Sequence, residues 1–147
     1  MVTIKLRCDK SVNQKLRTYG IDRRKLENFL MFITNEHVNK RKWLHYEIKV
    51  KGIPGTSSQY FWGEDEIEVA LNADECNTTK KRRVYFLQSL VHEYRHWVQS
   101  QLQNVSERHL DYTEKDIEEG TDTYKKNKYE LECVEWENLI EKFNQFI

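Results

Sequence analysis

The run His92-Glu93-Tyr94-Arg95-His96 has residue types and a spacing that can bind a metal ion and activate water. On a helix, positions i and i+4 project from the same side one turn apart, so the imidazoles of His92 and His96 can bind one ion. Glu93 lies about 100° round the helix, where its carboxylate can reach a metal-bound water. The motif therefore predicts a Zn²⁺ site with His92 and His96 as ligands and Glu93 as the general base.

A third ligand is expected from the last predicted helix. Its apolar stripe consists of Tyr129, Cys133, Trp136, Ile140 and Phe143. Glu132 falls on this stripe, where a lone buried carboxylate is costly and a zinc ion would neutralise it. Two His and one Glu leave a fourth position for water, as in a catalytic site, so we expect Glu132 to be the third ligand. The alternatives are that Glu132 pairs with an Arg or Lys, or that Glu130 is the ligand if the helix begins in another register.

Hydrophobic periodicity predicts the elements that position the motif. They are helices over 22–40, 80–104 and 127–146, strands over 44–50, 60–62 and 67–71, and a long loop over 104–126. The motif lies in the second helix, on the side away from the stripe formed by Leu87, Leu90, Val91 and Val98. We expect an α+β fold with a small, mostly antiparallel sheet of about three strands, and one domain over 1–147.

From Val91 to Trp136 the chain resembles the zincin metallopeptidases, specifically the gluzincin pattern of HExxH followed by a Glu on a later helix. The resemblance implies a minimal zincin-like domain that hydrolyses peptide bonds, with Zn²⁺ on His92, His96 and Glu132. The run Glu130-Leu131-Glu132-Cys133 is also similar to the Glu-x-Glu-Ala segment of small bacterial and phage-type HExxH proteins, including the ImmA/IrrE-type peptidases.

Two residues depart from that family pattern. Arg95 puts a charge where the stricter signature has an uncharged residue, and Trp136 stands where larger gluzincins often carry an acid. Glu135, or an acid in the loop, is expected instead to orient a ligand histidine.

The mechanism that the resemblance implies needs a donor for the oxyanion. Tyr129 is the candidate because it lies on the same helical stripe as Glu132, and His109 and Tyr112 come next. The strand over 67–71 is expected to be an edge that pairs with an extended peptide substrate. Its Glu66 and Glu68 are equally typical of a solvated face.

Composition limits the class of protein. The four Trp, eight Tyr and six Phe among 147 residues exclude a fully disordered chain. The 24 basic and 24 acidic residues cancel, which argues against binding nucleic acid by bulk charge. However, residues 1–51 hold 13 Lys/Arg against 5 Asp/Glu, and residues 106–147 hold 6 against 12. Two alternatives to a peptidase therefore stay open: a metal-binding protein with little turnover, and a nucleic-acid-associated protease of the SprT-like kind that uses the basic half.

Cysteine usage and the N-terminus predict the compartment. Cys8, Cys76 and Cys133 are widely spaced and contain no CxxC pair, which favours a reducing environment. The first residues lack the apolar stretch of a signal peptide, and no apolar run is long enough to span a bilayer. We expect a cytoplasmic protein with a protein or peptide substrate and no membrane partner, and the composition is compatible with a phage origin. The sequence leaves the oligomeric state open.

Overall fold

The computed structural model describes residues 1–38, 42–72, 78–110 and 127–143. The strands are β1 (Val2–Cys8), β2 (Leu44–Ile53), β3 (Gln59–Tyr60) and β4 (Glu66–Ala70). The helices are α1 (Lys10–Thr18), α2 (Arg23–His37), α3 (Thr79–Leu102), α4 (Lys128–Glu137) and α5 (Ile140–Phe143), with a 3₁₀ turn at Glu107–Leu110. The chain is thus a mixed α/β protein, as the sequence predicts. Cys76 and Tyr112 lie outside the described residues.

The four strands form one sheet in the order β1-β2-β4-β3. The β1–β2 and β2–β4 pairs are parallel, and only the β3–β4 pair is antiparallel. The expectation of a mostly antiparallel sheet of about three strands is therefore wrong. Both β1 and α1 were missed, although Val2, Ile4 and Leu6 alternate with polar residues in the period-2 pattern of a strand. The two helices between β1 and β2 return the chain to the same end of the sheet, which makes that pair parallel.

The position of β4 corrects a second expectation. β4 lies between β2 and β3, so it is an inner strand of the sheet and not an edge. The edges are β1 and the short β3. The strand over 67–71 therefore does not offer a free edge along its length to a substrate.

One face of the sheet forms the core and the other carries polar side chains. The buried side chains Ile4, Leu6, Ile48, Val50, Ile67 and Val69 pack with apolar residues of α2 and α3. On the opposite face, charges pair across strands: Arg7 with Glu47 at 3.3 Å and Lys51 with Glu66 at 2.9 Å. Two basic residues of the N-terminal half, Arg7 and Lys51, are thus paired with acids on this face.

Two long helices confirm the sequence-based assignments. α2 begins after Asp22, whose side chain accepts a hydrogen bond from the Lys25 amide at 3.0 Å. α3 begins after Thr78, whose hydroxyl accepts from the Lys81 amide at 3.2 Å. α3 is not one-sided, however, because every residue from 93 to 99 is buried. The motif, which the sequence placed on the side away from Leu87, Leu90, Val91 and Val98, thus lies in a buried part of α3 that packs against α4.

The C-terminal region corresponds to the last predicted helix. In the structure it is divided into α4 and α5 at Asn138 and Leu139. Trp97, Trp136 and Phe143 are core residues, as expected. No helix in the described part of the chain is long and apolar enough to cross a membrane.

Candidate metal centre

Two helices bring three potential ligands together. His92 and His96 lie one turn apart on α3, with ring centroids separated by 5.1 Å. Asn127 caps α4 by accepting from the amides of Tyr129 and Glu130, so the helix starts with Glu130 facing α3. Glu130 Oε2 lies 2.9 Å from His92 Nε2, and Glu130 Oε1 lies 2.9 Å from His96 Nε2. One carboxylate therefore spans the Nε2 atoms of both histidines.

The other nitrogen of each ring is also held. His92 Nδ1 lies 3.2 Å from Glu137 Oε2, and His96 Nδ1 lies 2.9 Å from Gln99 Oε1. Both partner oxygens are acceptors, so each Nδ1 donates its hydrogen and each Nε2 points at Glu130. Outer contacts of this kind fix the ring orientation of metal-binding histidines.

The electrostatics of the centre follow from these contacts. Burial acts to lower the pKa of His92, but its hydrogen bonds to Glu130 and Glu137 outweigh burial and raise that pKa to about 10. Burial acts to raise the pKa of Glu130, but the two histidines hold it well below its ordinary value. His92 thus lies between two carboxylates that favour its charged form, and a metal ion would take the place of its Nε2 proton.

Glu93 is a buried acid next to this pair, with 8% of its surface exposed. Burial raises the pKa of its carboxyl group, while the charges of His92 and His96 act in the opposite direction. A buried carboxyl group with a raised pKa suits proton transfer, because it holds a proton more readily than an ordinary carboxyl group and can still give it up.

Glu132 does not lie with the histidines, contrary to its prediction as the third ligand. Its Oε2 accepts from Arg95 Nη2 at 2.6 Å, which is the Arg pairing that the sequence left open. Glu130 and Glu132 are roughly 200° apart round the helix, so only one of them can face His92 and His96. The interior side of α4 carries Glu130 and Cys133, and Glu130 is the buried acid with 5% exposure. The buried carboxylate of the last helix is therefore Glu130, which the sequence offered as the alternative to Glu132.

Tyr129, the predicted oxyanion donor, lies at the edge of the centre. Its ring packs against His109 at 6.2 Å, and its carbonyl accepts from Gln99 Nε2 at 2.9 Å. Among the described residues, its hydroxyl makes no hydrogen bond to His92, His96 or Glu130. His109 is engaged with the backbone and hydroxyl of Ser106.

Several side chains at the centre were missed by the sequence reasoning. Glu137 takes the orienting role that was expected of Glu135, and its signal was the i, i+7 spacing from Glu130. Gln99 lies three residues after His96, which is the spacing of side chains on one helical face. Trp62 packs on the His96 ring with a centroid distance of 5.2 Å, and no local pattern predicted it because it comes from the β3–β4 turn.

The β3–β4 turn is fastened to α3 beside the centre. Asp65 Oδ1 accepts from Trp97 Nε1 at 2.8 Å, and the Gly63 amide donates to Ser100 Oγ at 3.0 Å. Gly63 has a φ of 84°, a conformation that glycine adopts without strain. These contacts hold Trp62 against His96.

Cys133 adds a sulfur to the surroundings of His96. Its Sγ lies 3.5 Å from His96 Nδ1, and single ligand atoms of His92, His96 and Cys133 all lie within 4.8 Å of one another. Burial, together with the charge of Glu130, raises the pKa of this thiol well above its ordinary value. The sulfur approaches the ring nitrogen opposite to the one that faces Glu130.

The donor set fits zinc. Two imidazole nitrogens and one carboxylate converge from two helices, and His nitrogen with Glu oxygen is a ligand combination that Zn²⁺ takes in catalytic sites. Both imidazoles also have the outer partners that metal-binding histidines need. No protein-family model matches the chain, and neither the curated proteins nor the solved structures contain a match to it. The interpretation of the centre therefore rests on the residues of this chain.

Proposed function

We propose that this protein is a zinc-dependent metallopeptidase with His92, His96 and Glu130 as ligands and Glu93 as the general base. The observation that carries the proposal is the single carboxylate of Glu130, which lies 2.9 Å from the Nε2 atom of each histidine. The zincin-like order of HExxH on one helix and a Glu on a later helix supports the same proposal. In this proposal Glu130, and not Glu132, is the third ligand.

The roles of the chain's residues follow from their positions. When bound, zinc supplies a Lewis acid that lowers the pKa of a water and polarises the peptide carbonyl. Glu93 takes the proton from the attacking water and returns it to the leaving amine. Glu137 and Gln99 accept the Nδ1 hydrogens of the histidines, so that each Nε2 faces Glu130, where the metal would bind.

A cavity of about 370 Å³ lies beside Glu137 and is lined by Val84, Gln88, Glu137, Asn138, Ile140 and Glu141. Glu137 links this cavity to His92, because its Oε2 lies 3.2 Å from His92 Nδ1. A peptide is the substrate class that the zincin-like motif favours.

A metal-binding protein without turnover is the second candidate. The observation that favours it is Cys133, which places a sulfur near both histidines. A site closed by a further protein ligand has no open position for water and is structural. By contrast, the pairing of basic with acidic residues on the open sheet face gives no support to the nucleic-acid alternative.

Metal content tests the ligand set. We expect the wild-type protein to take up about one zinc per chain, as mononuclear sites of this type do. His96→Ala and Glu130→Gln should lose it, since each removes a ligand. Glu135→Gln, which changes an exposed acid on the same helix, is the matched control and should keep it. Elemental mass spectrometry after dialysis gives the ratio, and a wild-type chain that takes up no added zinc would refute the proposal.

Turnover tests the chemistry. We expect Glu93→Gln to retain its zinc and to lose a factor of about 10²–10⁴ in kcat, because the amide cannot accept the proton. Cleavage of a quenched fluorescent peptide mixture, followed by mass spectrometry, measures this. If the loaded wild-type protein cleaves no faster than Glu93→Gln, the metal is bound without peptidase activity and the second candidate holds.

A further inference from the structure

Arg95 is a buried cation with no part in the proposed chemistry. Its side chain is only 6% exposed, and its guanidinium carbon lies 4.7 Å from the centre of the Trp136 ring. Nη1 donates to Gln103 Oε1 at 2.7 Å, and Nη2 donates to Glu132 Oε2 at 2.6 Å. Nε is buried and finds no hydrogen-bond partner among the described residues.

A buried ion pair such as this one contributes little to the stability of the fold by itself. Burying a charge costs free energy that the attraction to its partner only partly returns, and an apolar pair of similar volume is often as stable or more so. The unpaired Nε adds a further cost. A buried ion pair does, however, fix how two elements meet, since its charges have few other partners.

The sequence positions of Arg95 and Glu132 show which parts of α3 and α4 their ion pair connects. Arg95 immediately precedes the ligand His96 on α3, and Glu132 comes two residues after Glu130 on α4. On the other side of Glu130, the carbonyl of Tyr129 accepts a hydrogen bond from Gln99 Nε2. The side-chain oxygen of Gln99 also accepts a hydrogen bond from His96. Both flanks of Glu130 are thus bonded to α3, and the two bonds together oppose rotation of α4 about its axis.

We infer that Arg95 and Glu132 are positioning residues, whose ion pair holds α4 in the rotation that presents Glu130 to the zinc-binding histidines. This inference rests on the metal site proposed above. It also gives the charge at Arg95, which departs from the zincin signature, a role in this chain. Neither residue is one of the proposed ligands or the proposed general base.

The test removes both charges while keeping the volume, in Arg95→Met/Glu132→Leu. The matched control is Arg7→Met/Glu47→Leu, which removes the exposed cross-strand pair, whose side chains are 69% and 54% exposed. Three quantities are measured on each protein: unfolding of the zinc-free form in urea, the zinc Kd by competition with a chromophoric chelator, and the visible absorption of the Co²⁺-loaded form. The last reports the ligands round the metal and not the stability of the fold.

We expect the zinc-free double variant to unfold cooperatively, its zinc Kd to rise about tenfold or more, and its Co²⁺ spectrum to change. The control should keep the wild-type Kd and spectrum. A folded double variant with both wild-type values would overturn the inference while leaving the metal site intact. A wild-type chain that binds no zinc would instead refute the metal site, and this inference with it.

A milder variant keeps the test decisive if the double variant does not fold. Glu132→Gln changes the partly exposed end of the pair, which is 23% exposed, and its amide oxygen can still accept from Arg95. We expect its Kd to lie between those of the wild type and the double variant. An unchanged Kd in this variant would also overturn the inference.

Discussion

At the scale of single residues, Thr34 and Tyr94 form a hydrogen bond between two hydroxyl groups inside the core. The Tyr94 hydroxyl lies 2.6 Å from Thr34 Oγ1, and Thr34 Oγ1 also donates to the Leu30 carbonyl at 2.6 Å. Both side chains are fully buried. Thr34 Oγ1 therefore keeps a hydrogen bond if Tyr94 is changed. The Tyr94 hydroxyl, for which no second partner is found among the described residues, loses its hydrogen bond if Thr34 is changed.

We expect Thr34→Val to cost about 1–3 kcal/mol in the free energy of unfolding, because it leaves the Tyr94 hydroxyl buried and unpaired. Tyr94→Phe should cost about 0.5–1.5 kcal/mol, since Thr34 keeps its bond to Leu30. Urea unfolding followed by far-UV circular dichroism measures both. An equal or larger cost for Tyr94→Phe would contradict this account.

At the scale of elements, Asp9 joins α1 to the end of β2. Its Oδ1 accepts from the Val12 amide at 2.9 Å and from the Ser11 hydroxyl at 2.8 Å, and its Oδ2 accepts from the Gly52 amide at 3.0 Å. A Cβ atom at Gly52 would lie 2.3 Å from Ser11 Oγ, so the close approach needs glycine. Burial acts to raise the pKa of Asp9, but these hydrogen bonds outweigh it and lower that pKa.

We expect Asp9→Ala to lower the free energy of unfolding by about 1–2 kcal/mol at pH 7. Asp22→Ala, which removes the simpler cap of α2, should cost about 0.5–1 kcal/mol. Because the folded-state pKa of Asp9 is below its ordinary value of 3.8, its contribution is present above that pH and is lost as the pH falls through the lowered pKa. Urea titrations at pH 7 and near pH 2–3 should therefore show the gap between wild type and Asp9→Ala closing in acid. A gap that persists unchanged at the lower pH would rule out the carboxylate as its source.

For the whole molecule, the apolar core is extensive. It runs from β1 and α2 through the sheet to α3, α4 and α5, and it includes Phe29, Tyr94, Trp97 and Phe143. A core of this extent contrasts with a small zinc finger, whose fold depends on its metal. We therefore expect zinc to stabilise a chain that also folds without it.

We expect chelator-treated protein to keep its far-UV spectrum and to unfold cooperatively on heating. Added zinc should raise Tm, with a stabilisation of about 2.7 kcal/mol when free zinc is about a hundred times Kd. His96→Ala should show no such rise. Differential scanning calorimetry with and without zinc decides the matter. Loss of the fold on chelation would show instead that the metal is structural.

Local periodicity was enough for much of this protein. α2, α3 and β2 were predictable because their apolar spacing reflects contacts with the nearest part of the chain, and the HExxH motif lies on α3 as its spacing predicts. The sequence also indicated an acid on the buried side of the last helix, where it favoured Glu132 and gave Glu130 as the alternative; the structure buries Glu130. These features depend on residues within one or two turns, or on alternation along one strand.

Only the tertiary structure decided which acid faces the histidines. Glu130 and Glu132 lie on nearly opposite sides of α4, and α4 meets α3 with Glu132 bonded to Arg95 and the Tyr129 carbonyl bonded to Gln99, which leaves Glu130 facing the histidines. The same holds for the parallel pairing of β1 with β2 and for the packing of Trp62 on His96. The sequence alone determined the elements and the motif, because these follow from near neighbours. Which acid faces the histidines and which way the strands run depend on how distant elements pack, and local periodicity carries no information on that packing.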